Sequence, residues 1–351
     1  MVVERAREAL IRLDQYLTGQ WLAGPDPYDG LAGWLGGRVP SGHVRQAIIQ
    51  GVKRSPIDLR PALGVRPVRM TKTLALVTDA LHTAPWLPEG ASRRKTLLDE
   101  IVDRRTGPTG GWGYEFDVQT RWGFYPAGSP NIIVTAFVLE ALRDSPEHLE
   151  AVRSGVRDWL LGSMRYEGIF RYVPGSTVLI HNANLLGARA LERVEPGHPA
   201  VARGVRRTLE CQRANGTWPY GEGAGLEWVD GFHTAYVLLA LADLDEALPD
   251  GEGLGRGVKA YASRLFSPEG EPFYFADRPG PTDIHNIATG LLAVAVLRDH
   301  IPGGDELLGR VLEHLLRLQG DDGAFRSSSR APAYMRWNQA HAQRALAEVA
   351  R

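Results

Sequence analysis

The chain has 351 residues, of which 44% are hydrophobic and 23% charged, and its formal net charge is −1. This composition is typical of a folded globular protein, and the near-zero charge excludes a general electrostatic attraction to nucleic acid or anionic lipid. The single cysteine, Cys211, excludes an internal disulfide and a cysteine-rich metal site.

The first 68 residues predict two helices and a loop. Residues 4–22 and 43–53 place charged and apolar side chains at helical spacing. The intervening residues 24–42 are rich in Gly, Pro and Asp, which predicts a loop. We expect residues 1–68 to pack on, or to complete, a larger domain formed by residues 69–351.

From residue 71 onward the chain repeats one pattern about every 52 residues. In each unit a glycine-aromatic turn precedes a short polar patch and an apolar stretch. Equivalent patch positions are held by Asn131, Asn182, Thr234, Asn286 and Asn338, at steps of 51, 52, 52 and 52 residues. Such self-similarity predicts a repeat architecture, in which each unit buries its apolar face against its neighbours.

Two kinds of helix alternate within the repeats. The helix before each turn is amphipathic, as in residues 147–161, which is typical of a surface helix. The helix after each patch is almost free of charge, as in residues 132–142, which is typical of a buried one. The sequence therefore predicts an all-α fold, an α/α toroid of about six helical hairpins. Short extended pieces are expected at its rim, at residues 170–173 and 273–275.

The turns carry a family resemblance. Residues 212–218 have the form Gln-x3-Gly-x-Trp, and residues 319–325 repeat it with Phe in place of Trp. These turns resemble the glutamine–tryptophan repeat of squalene and terpenoid cyclases and the equivalent turn of protein prenyltransferase β subunits. Residues 230–236 resemble the Asp-x-x-His-Thr-x-Tyr helix start of those subunits. The chain is also similar to bacterial prenyltransferase/squalene-oxidase repeat proteins, and the resemblance implies a toroid that handles an isoprenoid.

Three histidines lie one repeat apart in the polar patches. Aspartates lie three residues before the second of them and two residues before the third. A nearby carboxylate orients an imidazole and raises its pKa, which suits a general acid or base. The predicted catalytic residues are His181, His233, His285, Asp230 and Asp283.

Further polar and aromatic residues are predicted to bind the substrate. Residues 110–122 mix carboxylates, an amide, an arginine and four aromatics in a loop, and such loops on a rigid scaffold often hold substrate. The inner helix starts favour anions through their free N–H groups, although Asn is also a preferred N-cap. The predicted substrate-binding residues are Trp112, Tyr114, Glu115, Asp117, Arg121, Trp122, Asn131, Asn182, Asn286, Trp337, Asn338 and His341.

Two signatures of the resembled enzymes are incomplete in this chain. Protein prenyltransferases hold zinc with an Asp, a Cys and a His, and Asp230 and His233 resemble part of that set. No cysteine lies in a patch, so we predict no cofactor, with zinc at this pair as the alternative. Class II terpenoid cyclases protonate their substrate with the middle aspartate of Asp-x-Asp-Asp. That motif falls on residues 230–233 with Phe232 at the acid position, which argues against a conventional polyene cyclisation.

Three functions stay open at this point. The turns favour an isoprenoid-handling enzyme, a transferase or a lyase/isomerase of the terpenoid cyclase/prenyltransferase type, with His/Asp acid–base chemistry in a central polar pocket. The polar patches favour a lyase or epimerase acting on the uronates of a polysaccharide. A non-catalytic repeat scaffold is the third reading.

The expected partner is a small-molecule isoprenoid or acidic saccharide, and no nucleic acid. The N-terminus lacks the apolar core of a signal peptide, so we expect a cytoplasmic protein. No apolar run reaches the roughly 20 residues that span a bilayer, which leaves open only a peripheral membrane contact.

Overall fold

The computed structural model describes residues 1–34, 36, 38–55, 57–107, 110–120, 123–165, 168–172, 176–247 and 251–351. Its α-helices are α1 (Val2–Gly19), α2 (Gly42–Arg54), α3 (Arg60–Leu63), α4 (Thr71–Thr83), α5 (Gly90–Asp103), α6 (Ile132–Leu142), α7 (Pro146–Gly162), α8 (His181–Val194), α9 (Pro199–Leu209), α10 (Gly231–Asp243), α11 (Glu252–Arg264), α12 (Ile284–Leu297), α13 (Gly304–Leu316) and α14 (His341–Val349). A π-helix, Met335–Ala340, leads directly into α14. Short 3₁₀ turns cover Asp29–Leu31, Asp245–Ala247 and Arg298–His300.

Within the described residues, six helices form a closed inner ring. Helix α4 contacts α6, and the contacts continue through α8, α10, α12 and α14, which returns to α4. The sequence explains this position, because every residue of α6 is buried and a helix that is apolar on all sides packs inside a domain. The predicted α/α toroid is confirmed.

Amphipathic helices surround the inner ring. Helices α5, α7, α9, α11 and α13 each follow an inner helix and pack on it, whereas α1 packs on α14 and α13. Helix α1 ends at Gly19, earlier than predicted, because Trp21 and Leu22 take positive φ angles of 53° and 57° that a right-handed helix cannot include. None of the described helices is long and apolar enough to cross a membrane.

The glutamine turns join successive outer helices. Gln212 Nε2 donates to Gly216 O at 3.0 Å within its own turn and to Gly253 O of α11 at 2.9 Å. Trp218, which is 2% exposed, donates from Nε1 to Thr208 O of α9 at 3.0 Å. The glutamine and the tryptophan therefore bind one hairpin to the next, which is a structural role.

The last such turn holds the two ends of the chain together. Gln319 Nε2 donates to Gly323 O at 3.0 Å and to Ala9 O of α1 at 2.9 Å. Gly323 has a φ of +86°, and an added Cβ would lie 2.3 Å from Arg12 O. Only glycine fits this approach. Helix α1 is thus fixed to the end of the last repeat by hydrogen bonds as well as by packing.

Charged side chains close one end of the inner ring. Glu140 of α6 contacts Arg143, Arg189 and Arg193, and Arg193 also pairs with Asp243 of α10 at 2.5 Å. Burial alone would raise the pKa of Glu140, but these guanidinium groups lower it to about 2. The arginines lie near helix C-termini, where the helix dipole favours cations. The polar patches lie at the other end, at the helix N-termini.

Short antiparallel strand pairs lie at the rim of the toroid. Among the described residues they are β1 (Ala23–Gly24) with β2 (Val68–Arg69), β3 (Val118–Gln119) with β4 (Phe124–Tyr125), and β5 (Met164–Arg165) with β6 (Ile169–Phe170). The predicted piece at residues 170–173 overlaps β6 by one residue, and residue 173 lies outside the described residues. Residues 273–275 do not form a strand, and Phe275 makes isolated bridges with Asp230 and with Arg278.

Candidate active site

The N-terminal ends of the inner helices surround a cavity of about 300 Å³. Small-molecule sites have volumes of about 300–1,000 Å³, so this cavity suits a small molecule. It is lined by Tyr28, Gln46, Gln50, Lys72, Tyr114, Val118, Gln119, Thr120, Tyr125, Ile133, Tyr172, Asn182, Tyr220, Trp228, Phe232, His233, Tyr236, His285, Arg336 and Trp337.

Aromatic rings form much of the wall. Tyr220 and Trp228 stack with their centroids 4.6 Å apart, and Tyr125 meets Tyr172 edge-on at 5.6 Å. Burial raises the pKa of the lining tyrosines, that of Tyr28 to about 12, so their hydroxyls are neutral at neutral pH. Among the described residues that line the cavity, none is an aspartate or a glutamate. The wall therefore offers ring faces, neutral hydroxyls and amides.

A buried carboxylate holds His233 at the wall. His233 Nδ1 lies 2.7 Å from Asp230 Oδ2, and the same oxygen accepts Trp228 Nε1 at 2.9 Å. Asp230 Oδ1 accepts the His233 backbone N–H at 2.9 Å and so caps α10. Because Nδ1 faces the carboxylate, Nε2 is the ring nitrogen left to exchange a proton with a bound molecule. The structure thus brings together the pair Asp230 and His233 from the predicted catalytic set.

His285 lies in a second cluster of rings. Its Nε2 is 2.7 Å from the Tyr236 hydroxyl, and its ring centroid is 4.1 Å from that of His341. Burial, assisted by the positive charges of Lys72 and Arg336, holds the pKa of both histidines well below the usual range. Both imidazoles are therefore neutral at neutral pH. His285 lines the cavity, and His341 packs behind it.

Lys72 is a cavity residue that sequence reasoning missed. It is the second residue of α4, is 4% exposed, and places Nζ 3.9 Å from the centre of the Phe137 ring. No carboxylate among the described residues forms an ion pair with it. Burial, and then the nearby Arg336, lower the pKa of its amine well below the ordinary value. An anionic ligand group beside Nζ would favour the charged form.

Arg336, in contrast, already has a partner. Its Nε and Nη2 donate to the two carboxylate oxygens of Asp26 at 2.8 Å each, and both side chains are almost fully buried. The pair joins the loop after α1 to the π-helix. Because Asp26 neutralises this guanidinium, the uncompensated positive potential of the cavity comes from Lys72 and the convergent helix N-termini.

Asp283, predicted to be catalytic, supports the wall from outside the cavity. Its Oδ1 caps α12 by accepting the Asn286 backbone N–H at 3.0 Å. Both of its oxygens lie 3.2 Å from Trp337 Nε1, which donates to them. Asp283 therefore orients Trp337. Of the predicted substrate-binding residues, Tyr114, Asn182 and Trp337 line the cavity.

Two other predicted substrate-binding residues hold the inner scaffold. Trp112 is fully buried and donates from Nε1 to Ile101 O at 2.7 Å, the counterpart of the Trp218 contact in a later repeat. Asn131 caps α6 by accepting Val134 N at 3.0 Å. Neither lines the cavity, since both side chains are used to fix helices.

The carboxylates of the loop 110–122 also fix backbone. Glu115 accepts the N–H and the hydroxyl of Thr71, at 2.7 and 2.6 Å, and so binds the start of α4. Asp117 accepts Ala127 N at 2.8 Å across the loop. Both carboxylates thus bond groups of the protein, and neither is among the residues that line the cavity.

Two further predicted residues do not line the cavity. Asn286 and Asn338 are buried, and Asn286 Nδ2 donates to Phe273 O at 3.1 Å. Arg121 and Trp122 lie outside the described residues.

His181 separates from the other two predicted histidines. It is the first residue of α8, is fully buried, and places Nε2 3.5 Å from Glu222 Oε1. Its neighbour Asn182 lines the cavity, but His181 does not. Equal spacing along the chain thus did not give three equivalent positions: α8 begins at His181 itself, whereas α10 begins two residues before His233 and α12 one residue before His285.

The residues that the N-terminal segment gives to the cavity are Tyr28, Gln46 and Gln50. The 52-residue period could not mark them, because they lie before the first repeat. Lys72 was also unmarked, since the patch around it matches the other patches poorly. The signal for Lys72 was its place in the first turn of an Ala/Leu-rich helix whose acidic residue, Asp79, lies two turns later.

Known proteins of similar fold have different activities. No protein-family model matches the chain, and no curated protein matches it in sequence. An unsaturated glucuronyl hydrolase specific for heparin has a TM-score of 0.63 at 12% identity, covering 99% of this chain and 96% of that one. Cellobiose 2-epimerase from Bacillus thermoamylovorans has a TM-score of 0.60 at 10% identity, covering 82% of this chain and 90% of that one.

A third similar structure is the ent-copalyl diphosphate synthase from Streptomyces platensis, with a TM-score of 0.56 at 18% identity. It covers 91% of this chain, which spans 57% of that enzyme. At these identities the likeness shows the α/α toroid fold alone, and these toroids include terpene cyclases, glycoside hydrolases and an epimerase.

Proposed function

We propose that this protein is an isoprenoid-handling enzyme, in which Asp230 and His233 transfer a proton to or from a substrate that carries an anionic head group. The observation that carries the proposal is a carboxylate-oriented imidazole that faces an aromatic cavity, in whose described lining no Asp or Glu occurs. The resemblance of the glutamine turns to those of terpenoid cyclases and prenyltransferases supports the same class.

The aromatic wall supports an unsaturated apolar substrate body. Ring faces such as those of Phe232, Trp228 and Tyr220 pack on apolar chains and also attract the positive charge that develops in isoprenoid reactions. The absence of carboxylates from the described lining fits such a body, since an apolar chain has no hydrogen-bond donor for a carboxylate. Desolvating an unpaired carboxylate against it would be costly.

The anionic head group is supported by the charges at the cavity. The N-termini of the inner helices converge there, and N-termini attract anions through free N–H groups. Lys72 adds a cation without a described carboxylate partner. A phosphate or carboxylate on the substrate would supply that partner.

The available acid–base groups set the type of reaction. A histidine is a weak acid for an unactivated alkene, and Phe232 stands where a cyclase would have its acid, so the proposal excludes polyene cyclisation started by alkene protonation. His233 Nε2 is suited instead to removing or returning a proton at an activated carbon. The reaction class is therefore an isomerisation or a proton-eliminating step.

One observation favours a second function, an epimerase or lyase acting on an acidic saccharide. Four amide side chains, Gln46, Gln50, Gln119 and Asn182, line the cavity together with Lys72. Amides bond sugar hydroxyls, and the lysine would pair with a uronate carboxylate.

The test presents the purified protein with geranyl, farnesyl and geranylgeranyl diphosphate and, separately, with an unsaturated uronyl disaccharide. Products are analysed by liquid chromatography and mass spectrometry. We expect turnover of a prenyl diphosphate that His233→Gln abolishes and His300→Gln, an exposed control, preserves. Turnover of the disaccharide alone would move the assignment to the second function, and no turnover of any substrate would support the non-catalytic scaffold.

A further inference from the structure

A cluster of soft and hard donors lies beside the cavity and outside its lining. One ring nitrogen of His181, the Sγ of Cys211 and a carboxylate oxygen of Glu222 all lie within 4.8 Å of one another. These residues come from three segments. His181 begins α8, Cys211 is the second residue after α9, and Glu222 lies in the turn after Trp218. Their convergence is a product of the fold, because no local motif joins them.

Backbone contacts fix the segments that carry the donors. The His181 N–H donates to Tyr220 O at 3.2 Å, and the Glu222 N–H donates to Leu179 O at 2.9 Å. An antiparallel bridge between Ile180 and Gly221 lies between these two bonds. The imidazole and the carboxylate are therefore held on adjacent, paired backbones.

The histidine is buried without a hydrogen bond. His181 is 0% exposed, neither ring nitrogen has a hydrogen-bond partner, and Nε2 points at Glu222 Oε1 from 3.5 Å. Buried polar groups without partners are rare, and each calls for an explanation. A buried imidazole whose ring nitrogens have no hydrogen-bond partner can offer one of them to a metal ion.

The cysteine is in an environment suited to a bound thiolate. Arg207 Nη1 donates to Cys211 Sγ at 3.0 Å, which is the kind of outer contact that supports a ligating sulfur. Cys211 Sγ also lies within 4.8 Å of a carboxylate oxygen of Glu222, and a divalent cation between the two would hold the thiol in its deprotonated, coordinating form.

We propose that His181, Cys211 and Glu222 bind one zinc ion. A thiolate with an imidazole selects zinc over magnesium or calcium, and Zn–S and Zn–N bonds of about 2.3 and 2.0 Å place tetrahedral ligand atoms on the order of 3.5 Å apart. The donor atoms approach this spacing, and the Glu222 side chain, 45% exposed, is free to rotate inward. Three protein ligands leave a fourth position open.

The position differs from the zinc site that the family resemblance suggested. That set would use Asp230 and His233, but the oxygens of Asp230 are taken up by α10 capping, by His233 and by Trp228. The new site lies one repeat earlier. Its ligand His181 precedes Asn182, which lines the cavity, so the metal would stand next to the cavity wall.

Cobalt(II) binding to the full chain tests the proposal. Because Cys211 is the only cysteine, a thiolate-to-cobalt charge-transfer band in the near ultraviolet reports this residue and no other. We expect the band to saturate at one equivalent of cobalt, and one equivalent of zinc to displace it. Cys211→Ser should remove the band.

Matched variants keep the test decisive even if a buried substitution fails to fold. Glu222→Gln changes a partly exposed side chain, and we expect it to weaken cobalt affinity at least 10-fold, on the order of the loss from an outer-shell partner or more. The control is Glu210→Gln, because the Glu210 carboxylate pairs with Arg207, the arginine that contacts Cys211, but is not a proposed ligand. This variant should leave the cobalt affinity unchanged. No charge-transfer band in the wild-type protein, or equal affinities of Glu222→Gln and wild type, would overturn the site.

Discussion

At the scale of single residues, Lys72 sets the charge of the cavity. Its amine lies against the Phe137 ring and near Arg336, with no described carboxylate in an ion pair with it. Removing an ammonium group from water disfavours its charged form. Binding of an anion and protonation of Lys72 are therefore linked, and each favours the other.

The lowered pKa of Lys72 is directly measurable. The lysines of the chain are Lys53, Lys72, Lys95 and Lys259, and reductive ¹³C-methylation gives each an NMR signal whose shift follows protonation. We expect one signal to titrate well below the ordinary pKa of about 10.4 and to vanish in Lys72→Met. Four signals that all titrate near the ordinary value would contradict this description of the cavity.

His285 and His341 predict how stability depends on pH. Both are neutral in the folded protein because their pKa values are lowered, whereas in the unfolded chain they bind protons below about pH 6.5. Below that pH the unfolded state holds more protons than the folded state. The free energy of unfolding is therefore undiminished above about pH 6.5 and falls as the pH decreases further. Each histidine contributes up to about 1.4 kcal/mol per pH unit.

Urea unfolding of the wild type and of His341→Gln, between pH 7 and pH 5, measures this effect. The variant should lose stability less steeply on acidification, while His300→Gln, at an exposed site, should follow the wild type. The same pH dependence in His341→Gln and wild type would show that His341 is protonated in the folded protein.

At the scale of elements, the glutamine turns act as joints between hairpins. Gly216 has a φ of +83°, and a Cβ there would lie 2.6 Å from Arg256 O on the next outer helix. Gly197 has a similar φ of +74° but nothing within 4 Å of an added Cβ. A side chain at either position would incur the conformational penalty of a positive φ angle. Only at Gly216 would it also collide with a neighbouring helix.

Substituting alanine at both glycines separates these effects. Gly197→Ala should cost about 1–2 kcal/mol, the penalty of a left-handed residue with a Cβ. Gly216→Ala should cost about 1–3 kcal/mol more, because the joint must also move apart. Free energies of unfolding from denaturant curves give both values, and equal losses would mean that the turn does not hold α11 in place.

At the scale of the whole molecule, closure of the ring makes stability a shared property. Helix α14 contacts α4, and α1 covers α14 from outside, so the first and last segments of the chain belong to one core. Leu13 of α1 is 0% exposed, whereas Ile11 on the same helix is 38% exposed.

Leu13→Ala should therefore lower the free energy of unfolding by about 2–5 kcal/mol, and Ile11→Ala by no more than about 0.5 kcal/mol. Circular dichroism and tryptophan fluorescence should report the same shifted midpoint. An early, separate loss of helix with an unchanged main transition would show that α1 is attached to the ring without being part of its core.

The sequence predicted the ring because repetition is a long-range signal that needs no knowledge of contacts. The period gave the inner and outer helices and the polar patches at the helix starts. It could not rank the patch residues, because capping and lining use the same side chains: Asn131 and Asp283 cap helices, whereas Asn182 lines the cavity.

The rest of the candidate site depended on tertiary contacts. Tyr28 and Lys72 lie outside the regular pattern, and only ring closure brings them to the cavity. Cys211 follows an outer helix, where sequence gives no reason to place it near His181, and the turn after Trp218 is what joins them.

The proposed proton transfer by His233 is tested most directly by solvent isotope incorporation. The protein is incubated with a prenyl diphosphate in deuterium oxide, and carbon-bound deuterium in the recovered substrate and product is measured by mass spectrometry. We predict incorporation by the wild type that falls by a factor on the order of 10²–10⁴ in His233→Gln. No incorporation by the wild type, or equal incorporation by the variant, would contradict the assignment.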